Sequence, residues 1–236
     1  MNPTSSYIAI VLLGGTGSRF SLDMPKQFVQ LNGKPLCYYA VNACEKSIKI
    51  SGIVVVANKD FIDQTKAALA FFDFQKIVAY VKGGETRQDS VLSALSYLND
   101  NHLAKEGDYV LIQDGDRPGL TEELINKNLL FAKENGGAVT AFPSTDSVFV
   151  SKDGKDVSSY LDRSTVFRAE TPQTFEFEGI LKASRKAKEE DRHFTDDASC
   201  YLHYGGKVGI VLSDGHNQKI TRREDLGFFE EVSNEQ

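Results

Sequence analysis

Short apolar runs alternate along the chain with stretches in which apolar residues recur at the spacing of an amphipathic helix. The runs have strand character and span residues 7–13, 53–57, 76–81, 109–113, 138–142 and 208–212. Helical spacing occurs in residues 36–43, 61–71, 91–98 and 120–135. Strands and helices in alternation form right-handed βαβ units. The pattern therefore predicts a Rossmann-like α/β fold, with a mainly parallel sheet and helices on both of its faces.

The alternation stops after Pro143. Residues 146–160 mix β-branched residues with the turn signal Lys-Asp-Gly-Lys at residues 152–155, which is typical of a hairpin. Helical patterning returns at residues 177–188 and in the acidic tail after Arg223. No repeat, low-complexity tract or linker divides the chain. We therefore predict a single domain over residues 1–236, with a projecting arm at about residues 144–168.

The charge balance limits the partners of this chain. A formal net charge of −6 provides no overall attraction for nucleic acid or an anionic membrane, so we expect neither as a partner. Small phosphates held by local cations fit this charge better. The apolar run at residues 7–13 is far shorter than the ~20 residues of a membrane span, and no basic leader precedes it, so we expect a cytoplasmic protein. Cys37, Cys44 and Cys200 lack the paired spacing of a zinc or redox site and are expected to be reduced.

A glycine-rich turn directly follows the first predicted strand and is the strongest chemical signal. Glycines let backbone N–H groups approach phosphate oxygens, and Arg19 and Lys26 are nearby cations suited to a triphosphate. Open α/β sheets bind ligands at this edge. The turn is not a dinucleotide fingerprint, because Phe20 replaces the third glycine, and it is not a Walker loop, because no Gly-Lys-Ser/Thr follows. The predicted phosphate-binding residues of the turn are Leu13, Gly14, Gly15 and Gly17.

Two further segments lie at the same predicted edge of the sheet. Residues 83–90 join a strand to a helix, so Gly84, Arg87 and Ser90 can present backbone, guanidinium and hydroxyl groups to a base and ribose. Asp114 follows the strand at residues 109–113, where a Mg²⁺ ion that bridges phosphate oxygens would lie. Both segments predict contacts with a nucleotide.

Five blocks of sequence, in the same order along the chain, resemble one enzyme family. They read GGTGSR with PKQF, GGETRQDSV, QDGDRP, ETPQTF, and TDDAS with NQKIT. Together they resemble the cytidylyltransferases that make CDP-methylerythritol or CDP-ribitol, and the resemblance spans nearly the whole chain. It implies a nucleotide-diphospho-sugar transferase-like fold and transfer of CMP from CTP to a small polyol phosphate with release of pyrophosphate. It also implies a Mg²⁺ cofactor and a homodimer.

The resemblance assigns roles to individual residues. In similar enzymes, the stretch that matches residues 83–90 reads the cytosine, and the aspartate that matches Asp114 binds the metal. The arm of those enzymes crosses to a second subunit, where it helps to bind the acceptor. The implied catalytic cations are Arg19, Lys26 and Lys219. The implied acceptor site comprises Asp114, Arg117, Ser147, Arg163 and Thr171, and Gly115 joins the nucleotide contacts.

The resemblance also suggests the mechanism and the acceptor. The acceptor phosphate is already a nucleophile, so the cations need only hold two polyanions together while it attacks the α-phosphorus of CTP. The chain departs from the family pattern at Gln113, Gly115 and Asp116, and Phe149 replaces the usual arm lysine. We expect 2-C-methyl-D-erythritol 4-phosphate as the acceptor, with ribitol 5-phosphate as the alternative. A regulatory protein that binds CTP without turnover is the alternative of another class.

Overall fold

A computed structural model of the chain describes residues 5–15 and 24–234. Gly17 and Arg19 of the predicted phosphate site therefore lie outside the described residues. The strands in the described part are β1 (Tyr7–Leu13), β2 (Gln30–Leu31), β3 (Lys34–Pro35), β4 (Gly52–Ala57), β5 (Ile77–Lys82), β6 (Tyr109–Asp114), β7 (Gly137–Pro143), β8 (Val148–Val150), β9 (Ser159–Leu161), β10 (Phe167–Glu176) and β11 (Gly209–Leu212). The α-helices there are α1 (Leu36–Lys46), α2 (Ile62–Ala70), α3 (Arg87–Asp100), α4 (Glu122–Asn135), α5 (Phe177–Glu189), α6 (Asp197–His203) and α7 (Asp225–Asn234).

Seven of these strands form the central sheet, in the order β11-β7-β10-β6-β1-β4-β5. Strand β1 pairs in parallel with β4 and β6, β4 with β5, and β7 with β11. Only β10 among them is antiparallel to its neighbours, β6 and β7. The prediction of a mainly parallel sheet is confirmed. Because six of the seven strands run in one direction, their carboxyl ends lie along one edge of the sheet.

Helices cover both faces of the sheet. In β1, Ile8 and Ile10 pack in a cluster with residues of α3, α5 and α6, whereas Ala9 and Val11 pack in a second cluster with residues of α1 and α4. This strand is apolar on both faces, which is typical of a parallel sheet between two helical layers. Full burial of an aliphatic side chain such as Ile10 stabilises the fold by about 1.5–3 kcal/mol. The predicted layering is confirmed.

The apolar pattern does not predict β10 or α6. Strand β10 lies inside the sheet, yet much of its buried part is polar, and a register shift between Glu170 and Gln173 contains Pro172. Its polar groups find partners in the fold: the Gln173 side chain donates to Asp196 Oδ2 at 2.8 Å and accepts from the Ala198 N–H at 2.9 Å. A pattern of apolar positions cannot reveal a strand whose burial is compensated by hydrogen bonds.

Residues 146–160 form a hairpin, as predicted. Strands β8 and β9 pair antiparallel, and the rings of Phe149 and Tyr160 on them lie 5.9 Å apart while both stay exposed. The single domain and the role of the arm in a dimer stay predictions. No helix in residues 5–15 and 24–234 combines the length and the apolar content that crossing a bilayer needs. The three cysteines are buried and free, and burial raises the pKa of the Cys37 and Cys44 thiols to about 12.

Candidate active site

A cavity of about 220 Å³ lies at the carboxyl edge of the sheet. Its walls come from the ends of β1 and β6, the segment between β5 and α3, and the segment after β11. A smaller neighbouring cavity shares Gly15 and Asp116 with it and is also lined by Leu13, Lys26 and Gly115. The predicted site residues that line the larger cavity are Gly14, Gly15, Gly84, Arg87, Ser90, Asp114 and Lys219.

Asp114 is the central anion of the larger cavity. Its Oδ1 accepts a hydrogen bond from Arg87 Nε at 2.9 Å, and its Oδ2 accepts one from Lys219 Nζ at 2.9 Å. The backbone N–H of Asp114 donates to Thr171 Oγ1 at 3.0 Å. Burial alone would raise the pKa of Asp114, but the charges of Arg87 and Lys219 outweigh burial and hold this pKa well below its usual range. The carboxylate is therefore ionised at neutral pH.

Arg87 is held between two carboxylates. It begins α3, which is capped by Thr86 and Asp89 in a reciprocal capping box. Its Nη1 lies 2.8 Å from Oδ2 of Asp197, at the start of α6, while Nε binds Asp114. Burial would lower the pKa of Arg87, but the charges of the two carboxylates outweigh burial and raise this pKa above its ordinary value. The pKa of Asp197 is also raised, because burial raises it more than the charge of Arg87 lowers it. No role was assigned to Asp197 from the sequence. Its position in the TDDAS block was the available signal.

Lys26 is paired with Asp116, to which no role was assigned from the sequence. Its Nζ lies 2.5 Å from Asp116 Oδ2 and 2.7 Å from the Ile220 backbone oxygen. Asp116 Oδ1 lies 3.5 Å from Lys219 Nζ. Lys26 and Lys219 are therefore both paired with carboxylates of the same short turn, residues 114–116. With Arg87 bound to Asp114, each cation that lines the two described cavities has an internal counterion.

Gly115 allows this turn to lie against β1. Its N–H donates to the Leu12 oxygen at 2.9 Å. A Cβ at this position would stand 2.1 Å from Leu13 Cδ2 and 2.9 Å from the same Leu12 oxygen. A side chain would therefore push the turn away from the strand, and the carboxylates of Asp114 and Asp116 would move with it.

Four predicted acceptor residues do not line the cavity of the single chain. Arg117 is buried, and its Nη1 donates to the Asn217 oxygen at 2.8 Å. Thr171 is also buried and binds the Asp114 backbone, while the Asn217 side chain donates to the Thr171 oxygen at 2.6 Å. Ser147 and Arg163 are exposed on the arm. Their roles stay predictions, and Asn217 is a supporting residue that sequence analysis did not single out.

The acidic groups of the cavity could bind a metal ion together with a nucleotide. No three acidic, histidine or cysteine side chains within the described ranges cluster as metal ligands. Asp114 and Asp116 both line the larger cavity and offer hard oxygen donors. Mg²⁺ typically takes one or two carboxylates and completes its shell with water and substrate phosphates. The donor set therefore fits Mg²⁺ bound together with a triphosphate.

The chain is similar to known proteins over nearly its whole length. A model of the family described as 2-C-methyl-D-erythritol 4-phosphate cytidylyltransferase matches residues 7–233. The protein of that name from Thermosipho melanesiensis is 38% identical over 220 residues, which cover 93% of this chain and 94% of the relative.

A ribitol-5-phosphate cytidylyltransferase from Vibrio parahaemolyticus is 35% identical over 228 residues, which cover 95% of this chain and 94% of the relative. The crystal structure of 4-diphosphocytidyl-2C-methyl-D-erythritol synthase from Anaerococcus prevotii matches with a TM-score of 0.83 and 28% identity, covering 98% of this chain and 96% of that one. The chain thus belongs to the 2-C-methyl-D-erythritol 4-phosphate cytidylyltransferase family.

Proposed function

We propose that the protein transfers CMP from CTP to a polyol phosphate and releases pyrophosphate. The observation that carries this proposal is the cavity at the carboxyl edge of the sheet, where the Gly14-Gly15 turn faces Asp114 and Lys219. Glycine backbone and lysine suit a polyphosphate, and an ionised aspartate suits its metal. Family membership supports the same chemistry.

The reaction needs no general base. An oxygen of the acceptor phosphate attacks the α-phosphorus of CTP, and the bond from that phosphorus to the bridging oxygen of the β-phosphate breaks. The electron pair leaves with pyrophosphate. Because two polyanions must approach each other, the protein has to offset their repulsion. We assign this task to Lys26 and Lys219, together with Arg19, which lies outside the described residues.

The protein's own charges in the described cavities are nearly balanced. Lys26, Arg87 and Lys219 each pair with a carboxylate, so little free positive charge remains there for a triphosphate. A Mg²⁺ ion held by Asp114 supplies that charge when it is bound with the nucleotide. In this proposal, Asp114 is both the metal ligand and the anchor that keeps Lys219 at the cavity wall.

The other predicted residues divide between the nucleotide and the acceptor. Gly84, Arg87 and Ser90 form the wall beside the start of α3, and we assign the cytidine to this wall. In a homodimer, Ser147 and Arg163 on the arm of a second copy would join Arg117 and Thr171 at the acceptor phosphate. We propose 2-C-methyl-D-erythritol 4-phosphate as the acceptor. Ribitol 5-phosphate is the second candidate, favoured by the Vibrio parahaemolyticus relative and by Phe149 in place of the arm lysine.

A direct assay separates these candidates. The protein is incubated with CTP, Mg²⁺ and each polyol phosphate in turn, and pyrophosphate release is followed. We expect release with 2-C-methyl-D-erythritol 4-phosphate. Release with ribitol 5-phosphate alone would reverse the choice of acceptor. Tight CTP binding without pyrophosphate from either acceptor would identify a regulatory protein instead of an enzyme.

The proposed role of Lys219 in turnover can be tested separately. Lys219→Ala should lower kcat by about 10²- to 10³-fold, the effect typical of losing one oriented donor to a charged transition state. Lys127→Ala is the matched control, because this lysine on α4 pairs with Glu123 at 2.6 Å and lines neither of the two cavities. Turnover of the Lys219 variant at the level of the Lys127 variant would contradict the assignment.

A further inference from the structure

Asp116 faces two ammonium groups at once. Its Oδ2 lies 2.5 Å from Lys26 Nζ, and its Oδ1 lies 3.5 Å from Lys219 Nζ. The side chains of Lys26 and Asp116 are only 13% and 17% exposed. Water therefore screens this pair less than it screens an ion pair on the surface.

The two lysines do not depend on Asp116 for their positions. Lys26 Nζ also donates to the Ile220 oxygen at 2.7 Å, and Lys219 Nζ also donates to Asp114 Oδ2 at 2.9 Å. The turn is tied to the segment after β11 through its backbone, because the Ile220 N–H donates to the Asp116 oxygen at 2.8 Å. Loss of the Asp116 charge should therefore leave both ammonium groups in place. It removes the counterion of Lys26 and the more distant of the two counterions of Lys219.

We propose that Asp116 is an internal counterion that competes with polyphosphate for Lys26 and Lys219, and so weakens the binding of CTP and of pyrophosphate. This inference rests on the proposed function. A phosphate that approaches either lysine meets the negative charge of Asp116 within a few ångströms. It must either displace the carboxylate from the lysine or bind beside it, and both are unfavourable. Weaker binding of pyrophosphate speeds its release after CMP transfer.

Asp116→Asn tests this directly, since it removes the charge with little change in shape. Binding of inorganic pyrophosphate is measured by calorimetry in EDTA, so that no divalent cation takes part. We expect the variant to bind about tenfold more tightly than the wild type, which corresponds to about 1.4 kcal/mol. The affinity should also fall more steeply with salt, because the site gains one net positive charge. Glu123→Gln, which frees Lys127 in the same way outside both cavities, should match the wild type.

Two companion variants keep the test decisive. Asp116→Ser provides a second neutral side chain if the asparagine variant fails to fold, and Asp116→Glu restores the charge and should return affinity towards the wild-type value. In turnover assays, we expect product inhibition by pyrophosphate to strengthen about tenfold in the neutral variants, with a lower KM for CTP.

Unchanged or weaker pyrophosphate binding in the neutral variants would overturn the inference. Weaker binding only when Mg²⁺ is present would also overturn it, because Asp116 would then act on the metal. A wild-type protein that releases no pyrophosphate from CTP contradicts the proposed function. The comparison of pyrophosphate affinities would still decide the role of Asp116 in that case.

Discussion

Replacement of Asp114 by asparagine tests the charge network at the centre of the site. The wild-type carboxylate accepts one hydrogen bond from Arg87 and one from Lys219. An asparagine has a single acceptor oxygen, so one of the two cations would face the amide NH₂ group. The variant keeps the size of the side chain and changes only its charge and its acceptors.

The expected loss of stability follows from burial. The bond to Arg87 is charge-assisted and largely buried, and we assign about 2 kcal/mol to it. The Lys219 side chain is 38% exposed, so water replaces much of its bond, which contributes about 0.5–1 kcal/mol. Because the amide oxygen keeps one of these two bonds as an uncharged acceptor, the free energy of unfolding should fall by about 2–3 kcal/mol. For a chain of 236 residues, this lowers Tm by about 4–12 °C.

Urea denaturation followed by circular dichroism measures this loss, and Asp108→Asn is its control. Asp108 is a buried carboxylate just before β6, but its oxygens accept from the backbone N–H groups of Ser6 and Lys105, at 2.8 and 3.0 Å. The donors to Asp108 carry no charge of their own, so the amide oxygen replaces more of this bonding, and we expect a smaller loss there, of about 1–2 kcal/mol. A loss below about 1 kcal/mol for Asp114→Asn would refute the reasoning.

The pH dependence provides a second check on Asp114. Its pKa in the folded state lies below the value of about 3.9 expected in the unfolded chain. The stability that its ionised form contributes is therefore present above about pH 4 and is lost as pH falls through the folded-state pKa. The difference in free energy of unfolding between the wild type and Asp114→Asn should stay constant from pH 8 to pH 5. If this difference disappeared within that interval, the ion pairs of Asp114 could not be its source.

Two further predictions concern the turn beside the site and the cysteines. Gly115→Ala should lower the free energy of unfolding by about 1–3 kcal/mol because its Cβ meets the Leu12 oxygen. Gly15→Ala, whose Cβ would have no atom of the described residues within 4 Å, should keep the wild-type Tm in thermal unfolding. In the native protein the three cysteines should not react with Ellman's reagent at neutral pH, since burial raises their pKa values, and all three should react in urea. Rapid labelling of the native protein would show that the packing around the cysteines opens to solvent.

The sequence by itself determines most of the parallel sheet and the edge that carries the site. Apolar strands and amphipathic helices alternate along the chain, and this local pattern was enough to predict both helical layers. Gly14 and Asp114 each come at the end of a predicted strand, and parallel strands share one carboxyl edge. The sequence therefore predicts that both lie along the same edge of the sheet. Only the structure shows that their two strands, β1 and β6, are neighbours.

Only the tertiary structure decides which charges meet within that edge. Lys26 and Asp116 are 90 positions apart in sequence, yet their side chains form the shortest ion pair among the described residues of the site. Asp197 reaches Arg87 because α6 packs beside α3 and α5, and β10 enters the sheet because its polar residues find partners there. Hydrophobic periodicity predicts which face of an element is buried. It does not predict which cation a carboxylate will contact, because that contact depends on how elements distant in sequence pack together.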